Sequence, residues 1–159
     1  MNFKLRNAQQ TDMRSVLLLI KELATFEKEP LAVEITVDDL IKDGFSKEPA
    51  FRIIVAEAEN EIVGMALFYP RYSTWKGKAM HLEDLIVKQK YRGKGIGNAL
   101  YSEVLKYAYN NNFKRVAWEV LDWNKVAIDF YKSTGAKVFD EWRIAQIDEQ
   151  TLKRFVENI

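Results

Sequence analysis

Residues 88–98 read KQKYRGKGIGN and hold three of the seven glycines of this 159-residue chain. An apolar run, HLEDLIV at 81–87, precedes them, and ALYSEVLKYAY at 99–109 follows with apolar residues at helical spacing. A strand, a glycine-rich turn and a helix place unencumbered backbone N–H groups at a helix N-terminus, where the peptide dipoles favour an anion. The segment therefore predicts a cradle for phosphate groups, with positive charge from Arg92 and Lys94 at its rim.

Two common phosphate-binding loops do not fit this segment. A nucleoside triphosphate loop needs GxxxxGK[ST], and a dinucleotide loop needs GxGxxG after the first strand of its unit, whereas the spacing here is GxGxG. A plain surface turn would explain a lone GxG. It does not explain a cluster that joins a buried strand to an amphipathic helix.

The bulk composition narrows the class of protein. Apolar residues make up 48% and charged residues 30%, which predicts one globular domain over residues 1–159. A net charge of +1 gives no electrostatic footprint for nucleic acid, and the lack of cysteine excludes disulfides, thiolate metal sites and cysteine nucleophiles. His81 is the only histidine and has no second histidine for a zinc site, so we expect no metal and interpret His81 as a structural residue.

No membrane segment is predicted. The apolar runs fall far short of the roughly 18 to 20 residues that a membrane helix needs, and the N-terminus lacks the apolar stretch of a signal peptide. We therefore expect a cytoplasmic protein without a membrane partner.

Apolar periodicity predicts alternating strands and helices, and so a mixed α/β fold. A hairpin is expected over 51–73, with its turn near Glu59 to Glu61. The other predicted strands are 2–6, 79–87, 115–121, 137–140 and 142–148. The predicted helices run from Thr11 or Asp12 to about Glu27, from the cap Thr36 to Gly44, from Gly97 to Asn111, from the cap Asn124 to Gly135, and over 151–159.

Two motifs carry a family resemblance. YRGKGIGNALYSEVLKYA at 91–108 resembles the acetyl-CoA-binding motif R-x-x-G-x-G/A of the GNAT N-acetyltransferases, and NKVAIDFYKSTGA at 124–136 resembles their signature N-x-x-A-x-x-[FL]-Y-x-x-x-G-[FA]. With IKELATFE at 20–27, these stretches are similar to the diamine, or spermidine/spermine, acetyltransferase subfamily. Members of that subgroup acetylate polyamines or the side-chain amine of lysine analogues such as thialysine, and the motifs do not separate the two.

The resemblance implies a single GNAT-type domain. Its sheet would be central, twisted, mixed and mostly antiparallel, with about six or seven strands and flanking helices. The parallel strands 79–87 and 115–121 would splay apart and leave edge groups for the cofactor. A homodimer is also expected, with WRIAQI at 142–147 as an apolar interface.

Acetyl-CoA is the implied cosubstrate. By the resemblance, the backbone of the strand before the glycines pairs with the pantetheine arm, the glycine segment holds the pyrophosphate, and the second signature contacts the cofactor from the other side. The residues assigned to these roles are Leu85, Ile86 and Val87; Arg92, Gly93, Lys94, Gly95, Ile96, Gly97 and Asn98; and Asn124, Ala127 and Tyr131.

The implied reaction needs a base and an acid. An alkylammonium with a pKa near 10 must lose a proton before its nitrogen can attack a thioester, and Glu83 is the expected base, directly or through water. Strand alternation puts Glu83 in phase with Leu85 and Val87, with Asp84 on the opposite face. Tyr131 is expected to protonate the departing sulfur. The alternatives are a solvated strand carboxylate for Glu83 and a core aromatic for Tyr131.

A polycationic acceptor is drawn to clustered carboxylates, and aromatic faces suit its methylene chains. Ordinary surface charge is the alternative for Glu119 and Glu141, and core packing is the alternative for the tryptophans. The candidate substrate-binding residues are Glu27, Glu83, Asp84, Trp118, Glu119 and Glu141, with Trp142 beside them in sequence.

The function predicted from these features is an acetyl-CoA-dependent N-acetyltransferase that acts on a small polyamine or diamine by direct transfer in a ternary complex. An enzyme for an amino-acid side-chain amine such as thialysine, or for an aminoglycoside-like amine, is the first alternative. A non-catalytic acetyl-CoA sensor is the second, and the presence of Tyr131 and Glu83 argues against it.

Overall fold

Five strands and five α-helices follow one another along residues 2–159, the part of the chain that the computed structural model describes. The mixed α/β class is as predicted. The strands are β1 Lys4–Asn7, β2 Arg52–Ala58, β3 Glu61–Ser73, β4 Gly77–Val87 and β5 Val116–Ala117. The helices are α1 Met13–Phe26, α2 Val37–Gly44, α3 Ile96–Asn110, α4 Lys125–Ser133 and α5 Glu149–Glu157.

The described residues group into two compact units, one up to Glu119 and one over Val120–Ile159. The prediction of one domain over residues 1–159 stays a prediction. Within the described chain, no helix is long and apolar enough to cross a membrane.

The sheet lies in the first unit and has the order β1-β2-β3-β4-β5. Neighbouring strands are antiparallel except β4 and β5, which run parallel. The β2–β3 turn is made by Glu59 and Asn60, whose φ angles of 54° and 58° suit a tight hairpin. β5 pairs with β4 only at Met80 and His81, and beyond His81 no described strand pairs with that edge of β4. The parallel strands therefore separate along β4, as predicted.

The expected six or seven strands are reduced to five in the described part of the chain. Strand 115–121 shortens to two residues, and the predicted strands 137–140 and 142–148 have no strand partner there. Phe139 and Trp142 are 62% and 73% exposed. Alternation of apolar and polar residues makes a segment suited to a strand, but a strand forms only against a neighbouring backbone.

One face of the sheet is covered by α1 and α2. Buried side chains of these helices, among them Val16, Leu19 and Leu40, pack against Met65 of β3 and Ile86 of β4. The local sequence starts α2 as predicted, because the Thr36 side chain accepts from the Asp39 backbone N–H and completes a capping box.

Helix α3 packs near other residues of the same sheet. The ring of Phe68 on β3 lies 5.2 Å from that of Tyr107 on α3. Gly64 of β3 comes so close to Leu100 of α3 that an added Cβ would lie 3.3 Å from it. The two helical layers therefore hold β4 in the middle of the first unit, with the glycine segment at its end.

Candidate active site

A β-bulge in β4 sets the direction of Glu83. Tyr69 of β3 lies opposite His81 of β4, but Leu67 lies opposite Asp84, so β4 contains one extra residue. That residue is Glu83. Bulges bend a strand and re-aim a side chain, and they are frequent beside functional sites.

The bulge reverses the alternation of side chains beyond it. Glu83 lies in phase with His81, and Asp84 pairs with Leu67 on the same face. The prediction that Glu83 shares a face with Leu85 and Val87, with Asp84 opposite, is therefore wrong. Strict alternation holds only in a strand without an inserted residue.

Glu83 has two neighbours on this face. The hydroxyl of Tyr69 donates to Glu83 Oε2 at 2.6 Å, and His81 Nε2 lies 3.4 Å from the same oxygen. The Glu83 side chain is 49% exposed, so the carboxylate is held at one oxygen and open to solvent. Burial, followed by the hydrogen bond to Glu83, raises the pKa of Tyr69 to about 12, so this phenol remains a donor at neutral pH.

Carboxylates surround this point. Burial, followed by the negative charges of Glu83 and Glu27, raises the pKa of Asp84 to about 6. Burial also raises the pKa of Glu27, which caps the C-terminus of α1. The charge of Glu119 contributes to the raised pKa of Tyr69. Four of the predicted acids, Glu27, Glu83, Asp84 and Glu119, therefore contribute to one region of negative charge. A cation bound there would relieve their mutual repulsion.

The remaining predicted substrate residues lie in different settings. The ring of Trp118 packs edge-on against Tyr101 of α3, with centroids 5.6 Å apart, which favours the packing interpretation for Trp118. Glu141 is exposed, in the unit Val120–Ile159. Trp142 is largely exposed, so the core interpretation is wrong for this tryptophan.

The glycine segment forms the N-terminus of α3, as predicted. Gly93 and Gly95 have φ angles of 72° and 81°, and Gly95 is the N-cap of the helix. A Cβ at either position would meet no protein atom within 4 Å, so the backbone conformation itself requires glycine. The first backbone N–H groups of a 15-residue helix, from Ile96 to Asn98, have no acceptor within the helix and suit an anion.

Arg92 ties this segment to its surroundings. Its Nε donates to the backbone oxygen of Val87 at 2.8 Å, one terminal nitrogen lies 3.9 Å from Glu22, and the guanidinium stacks 5.4 Å from the ring centroid of Phe26. Glu22 also accepts from the Gln89 backbone N–H at 3.1 Å. Sequence reasoning missed Glu22, since nothing local indicates that α1 reaches this loop.

Lys94 leans back along the same segment. Its Nζ donates to the backbone oxygen of Lys90 at 3.2 Å and lies 5.2 Å from the ring centroid of Tyr91. Both predicted rim cations are therefore at the glycine segment, and Arg92 also has a structural role.

Helix α4 carries the residues of the second signature. Asn124 is its N-cap, with its side-chain oxygen accepting from the Ala127 backbone N–H at 3.2 Å. Tyr131 is 8% exposed, and its ring lies 5.3 Å from that of Phe130. Asn124 therefore has a local structural role as the N-cap of α4.

Sequence reasoning also missed Tyr69 and Arg71 on β3. Arg71 Nη1 lies 3.3 Å from Nδ1 of His81. Counting outward from the β3–β4 turn, where Ser73 pairs with Gly77, puts Tyr69 opposite His81, and this register is readable from the sequence once the turn is placed.

The fold and this arrangement define the class of protein. The open edge of β4, the two left-handed glycines and the free helix N-terminus suit the elongated, phosphate-bearing molecule acetyl-CoA. The chain matches the family model of the Acetyltransferase (GNAT) family over residues 17–136 and belongs to that family. It is an acyl-transferring enzyme whose cosubstrate is acetyl-CoA.

Individual proteins and a solved structure are also similar to this chain. The chain is 38% identical to thialysine N-epsilon-acetyltransferase of Bos taurus, covering 94% of both chains. It is 36% identical to spermidine/spermine N(1)-acetyltransferase-like protein 1 of Homo sapiens, covering 84% of this chain and 20% of that protein. Its fold is similar to that of an integron cassette protein from the mobile metagenome of V. cholerae, with a TM-score of 0.80, 23% identity and 99% coverage of both chains.

Proposed function

We propose that this enzyme acetylates a terminal primary amine of a small diamine or polyamine in the cytoplasm. The observation that carries the proposal is the acidic cluster around Glu83, where burial, followed by the negative charges of Glu83 and Glu27, raises the pKa of Asp84. An alkyldiammonium has the complementary charge. The resemblance to a spermidine/spermine acetyltransferase-like protein supports the same acceptor class.

The proposed mechanism is direct attack by the amine in a ternary complex. Acetyl-CoA supplies the activated acetyl group. Glu83 binds the ammonium and accepts its proton, directly or through water, because its carboxylate is exposed on one side and held by Tyr69 on the other. Tyr131 protonates the departing sulfur, and backbone N–H groups from Leu85 to Val87 stabilise negative charge on the acetyl oxygen.

The proposed cofactor contacts follow the fold. The unpaired edge of β4 at Leu85, Ile86 and Val87 would receive the pantetheine arm, and residues 92–98 would hold the pyrophosphate. Asn124, Ala127 and Tyr131 of the second signature complete the proposed set.

A second acceptor class has its own support. Proteins named thialysine N-epsilon-acetyltransferase are 38% identical to this chain in Bos taurus and 31% identical in Caenorhabditis elegans. Thialysine also presents a primary alkylamine, so the same residues would act on it. The two acceptors differ in charge at the far end, where the amino acid carries a carboxylate.

The test is release of coenzyme A from acetyl-CoA with spermidine, spermine, putrescine, thialysine, lysine and an aminoglycoside. Faster release with the polyamines supports the proposal, and a preference for thialysine replaces the acceptor while keeping the mechanism. No release with any amine, despite acetyl-CoA binding, would refute it. In an active enzyme, Tyr131→Phe should lose turnover and keep acetyl-CoA affinity. Tyr109→Phe, which changes an exposed ring, is the matched control and should keep both.

We further propose a homodimer that uses the late apolar segment 142–147. Trp142, Ile144 and Ile147 are 73%, 61% and 56% exposed. Burying these apolar side chains against a second copy of the chain would be favourable. Sedimentation analysis of the wild type and of Ile144→Glu tests this. A monomeric wild type would refute it.

A further inference from the structure

Arg71 of β3 and His81 of β4 make a contact that none of the roles above uses. Arg71 Nη1 lies 3.3 Å from His81 Nδ1, and His81 Nε2 lies 3.4 Å from Glu83 Oε2. His81 is 7% exposed, and its ring centroid is 5.2 Å from that of Tyr69. A buried imidazole therefore stands between a guanidinium and the carboxylate of the proposed base.

The guanidinium decides which nitrogen of His81 carries the proton. Arginine only donates hydrogen bonds, so Nδ1 of His81 must accept, and a neutral imidazole then has its proton on Nε2. Nε2 is the nitrogen that faces Glu83. The opposite tautomer would set two donors against each other at Arg71 and two acceptors against each other at Glu83.

Tyr69 donates to the same oxygen of Glu83 that His81 faces. Within residues 2–159, Oε1 of Glu83 receives no hydrogen bond. The Tyr69 hydrogen bond holds Oε2, and Nε2 of His81 faces the same oxygen at 3.4 Å, so rotation of the carboxylate is restricted and Oε1 keeps its lone pairs for a ligand. Fixing a reacting group in one orientation is worth more to turnover than to binding.

We propose that His81, held in the Nε2–H tautomer by Arg71, is a positioning residue that works with Tyr69 to aim Glu83 Oε1 at the acceptor amine. This inference rests on the proposed function, because the orientation of Glu83 affects turnover only if Glu83 is the base. It also replaces the interpretation of His81 as purely structural.

The first test is spectroscopic and needs no substrate. His81 is the only histidine, so ¹⁵N-histidine labelling gives a single imidazole whose two nitrogen shifts report the tautomer. At about pH 8.5, where imidazoles are ordinarily neutral, the two nitrogen shifts of the wild type should report a proton on Nε2. Arg71→Met removes the guanidinium, so the nitrogen shifts should show some of the Nδ1–H tautomer. Arg14→Met, at an exposed residue of α1, is the matched control and should leave the tautomer unchanged. A proton on Nδ1 in the wild type, or no change in Arg71→Met, would overturn the proposal.

The second test is kinetic. His81→Leu removes the ring nitrogen that faces Glu83 Oε2 at 3.4 Å. It should lower kcat about tenfold, the size expected when a charged group loses one polar partner, with the KM for acetyl-CoA unchanged. His81→Gln carries an amide N–H at similar reach and should recover most of kcat. Circular dichroism checks that the variants are folded to the same extent. If His81→Leu does not fold, kcat is measured on Arg71→Met instead, because Arg71 is exposed.

The outcomes separate the two ideas. Equal kcat for the wild type, Arg71→Met and the folded His81 variants would refute positioning while the enzyme remains an amine acetyltransferase. A wild type that acetylates no amine would refute the proposed function, yet the tautomer measurement would still decide whether Arg71 sets the proton on His81.

Discussion

Replacing Asp84 by asparagine should stabilise the protein at neutral pH. Burial, with help from the charges of Glu83 and Glu27, raises the pKa of Asp84 from 3.8 to about 6. The folded state therefore disfavours the ionised carboxylate. Each pKa unit is worth about 1.4 kcal/mol, so ionised Asp84 costs at most about 3 kcal/mol of unfolding free energy above about pH 7.

The sign follows from proton binding. Between the two pKa values the folded protein holds more protons at Asp84 than the unfolded chain does, so the wild type loses stability as the pH rises through this window. Asparagine has no charge to bury. The stability advantage of Asp84→Asn should be fully present above about pH 7 and should fade as the pH falls toward about 4.

Urea and thermal unfolding of the wild type and Asp84→Asn at about pH 8 and about pH 4 measure this difference. For a chain of this length, 3 kcal/mol corresponds to a rise in Tm of roughly 6 to 12 °C. Asp122→Asn, on an exposed aspartate, is the matched control and should change stability little. An Asp84→Asn advantage that is absent at about pH 8, or equal at both pH values, would refute the argument from burial.

Three further substitutions test local features. Gly95→Ala should cost about 1 to 2 kcal/mol and weaken acetyl-CoA binding in calorimetry because φ is 81°, whereas Gly97→Ala, without a positive φ, should keep stability. Arg6→Met leaves the buried Asp12 carboxylate without its partner at 2.6 Å and should cost about 3 kcal/mol in urea unfolding. Since Arg6 lowers the pKa of Asp12, this loss should shrink as the pH falls; a loss that does not change with pH would contradict the pairing. Asn124→Ala should cost about 1 kcal/mol of α4 stability, and an unchanged Tm would contradict its capping role.

Local chemistry explains why several features were predictable. The glycine segment needs left-handed φ angles at Gly93 and Gly95, and only glycine adopts them without strain. Thr36 and Asn124 begin helices because their side chains accept backbone N–H groups within three residues. None of these interactions depends on a distant part of the chain.

The wrong predictions involve partners far away in sequence. The stretches 137–140 and 142–148 have strand-like alternation, but nothing in their own residues supplies a neighbouring strand. The direction of Glu83 depends on a bulge, and the bulge depends on how β3 and β4 align, including the pairing of Leu67 with Asp84.

Residue types at short spacings were enough to identify the family, the order of the main elements as far as α4 and the candidate base. The tertiary structure was needed to show that Tyr69 and His81 approach one oxygen of Glu83, and that Arg71 lies 3.3 Å from Nδ1 of His81. The reason is physical. Hydrogen-bond geometry varies over tenths of an ångström and depends on register and bulges between strands, which no short segment of sequence contains.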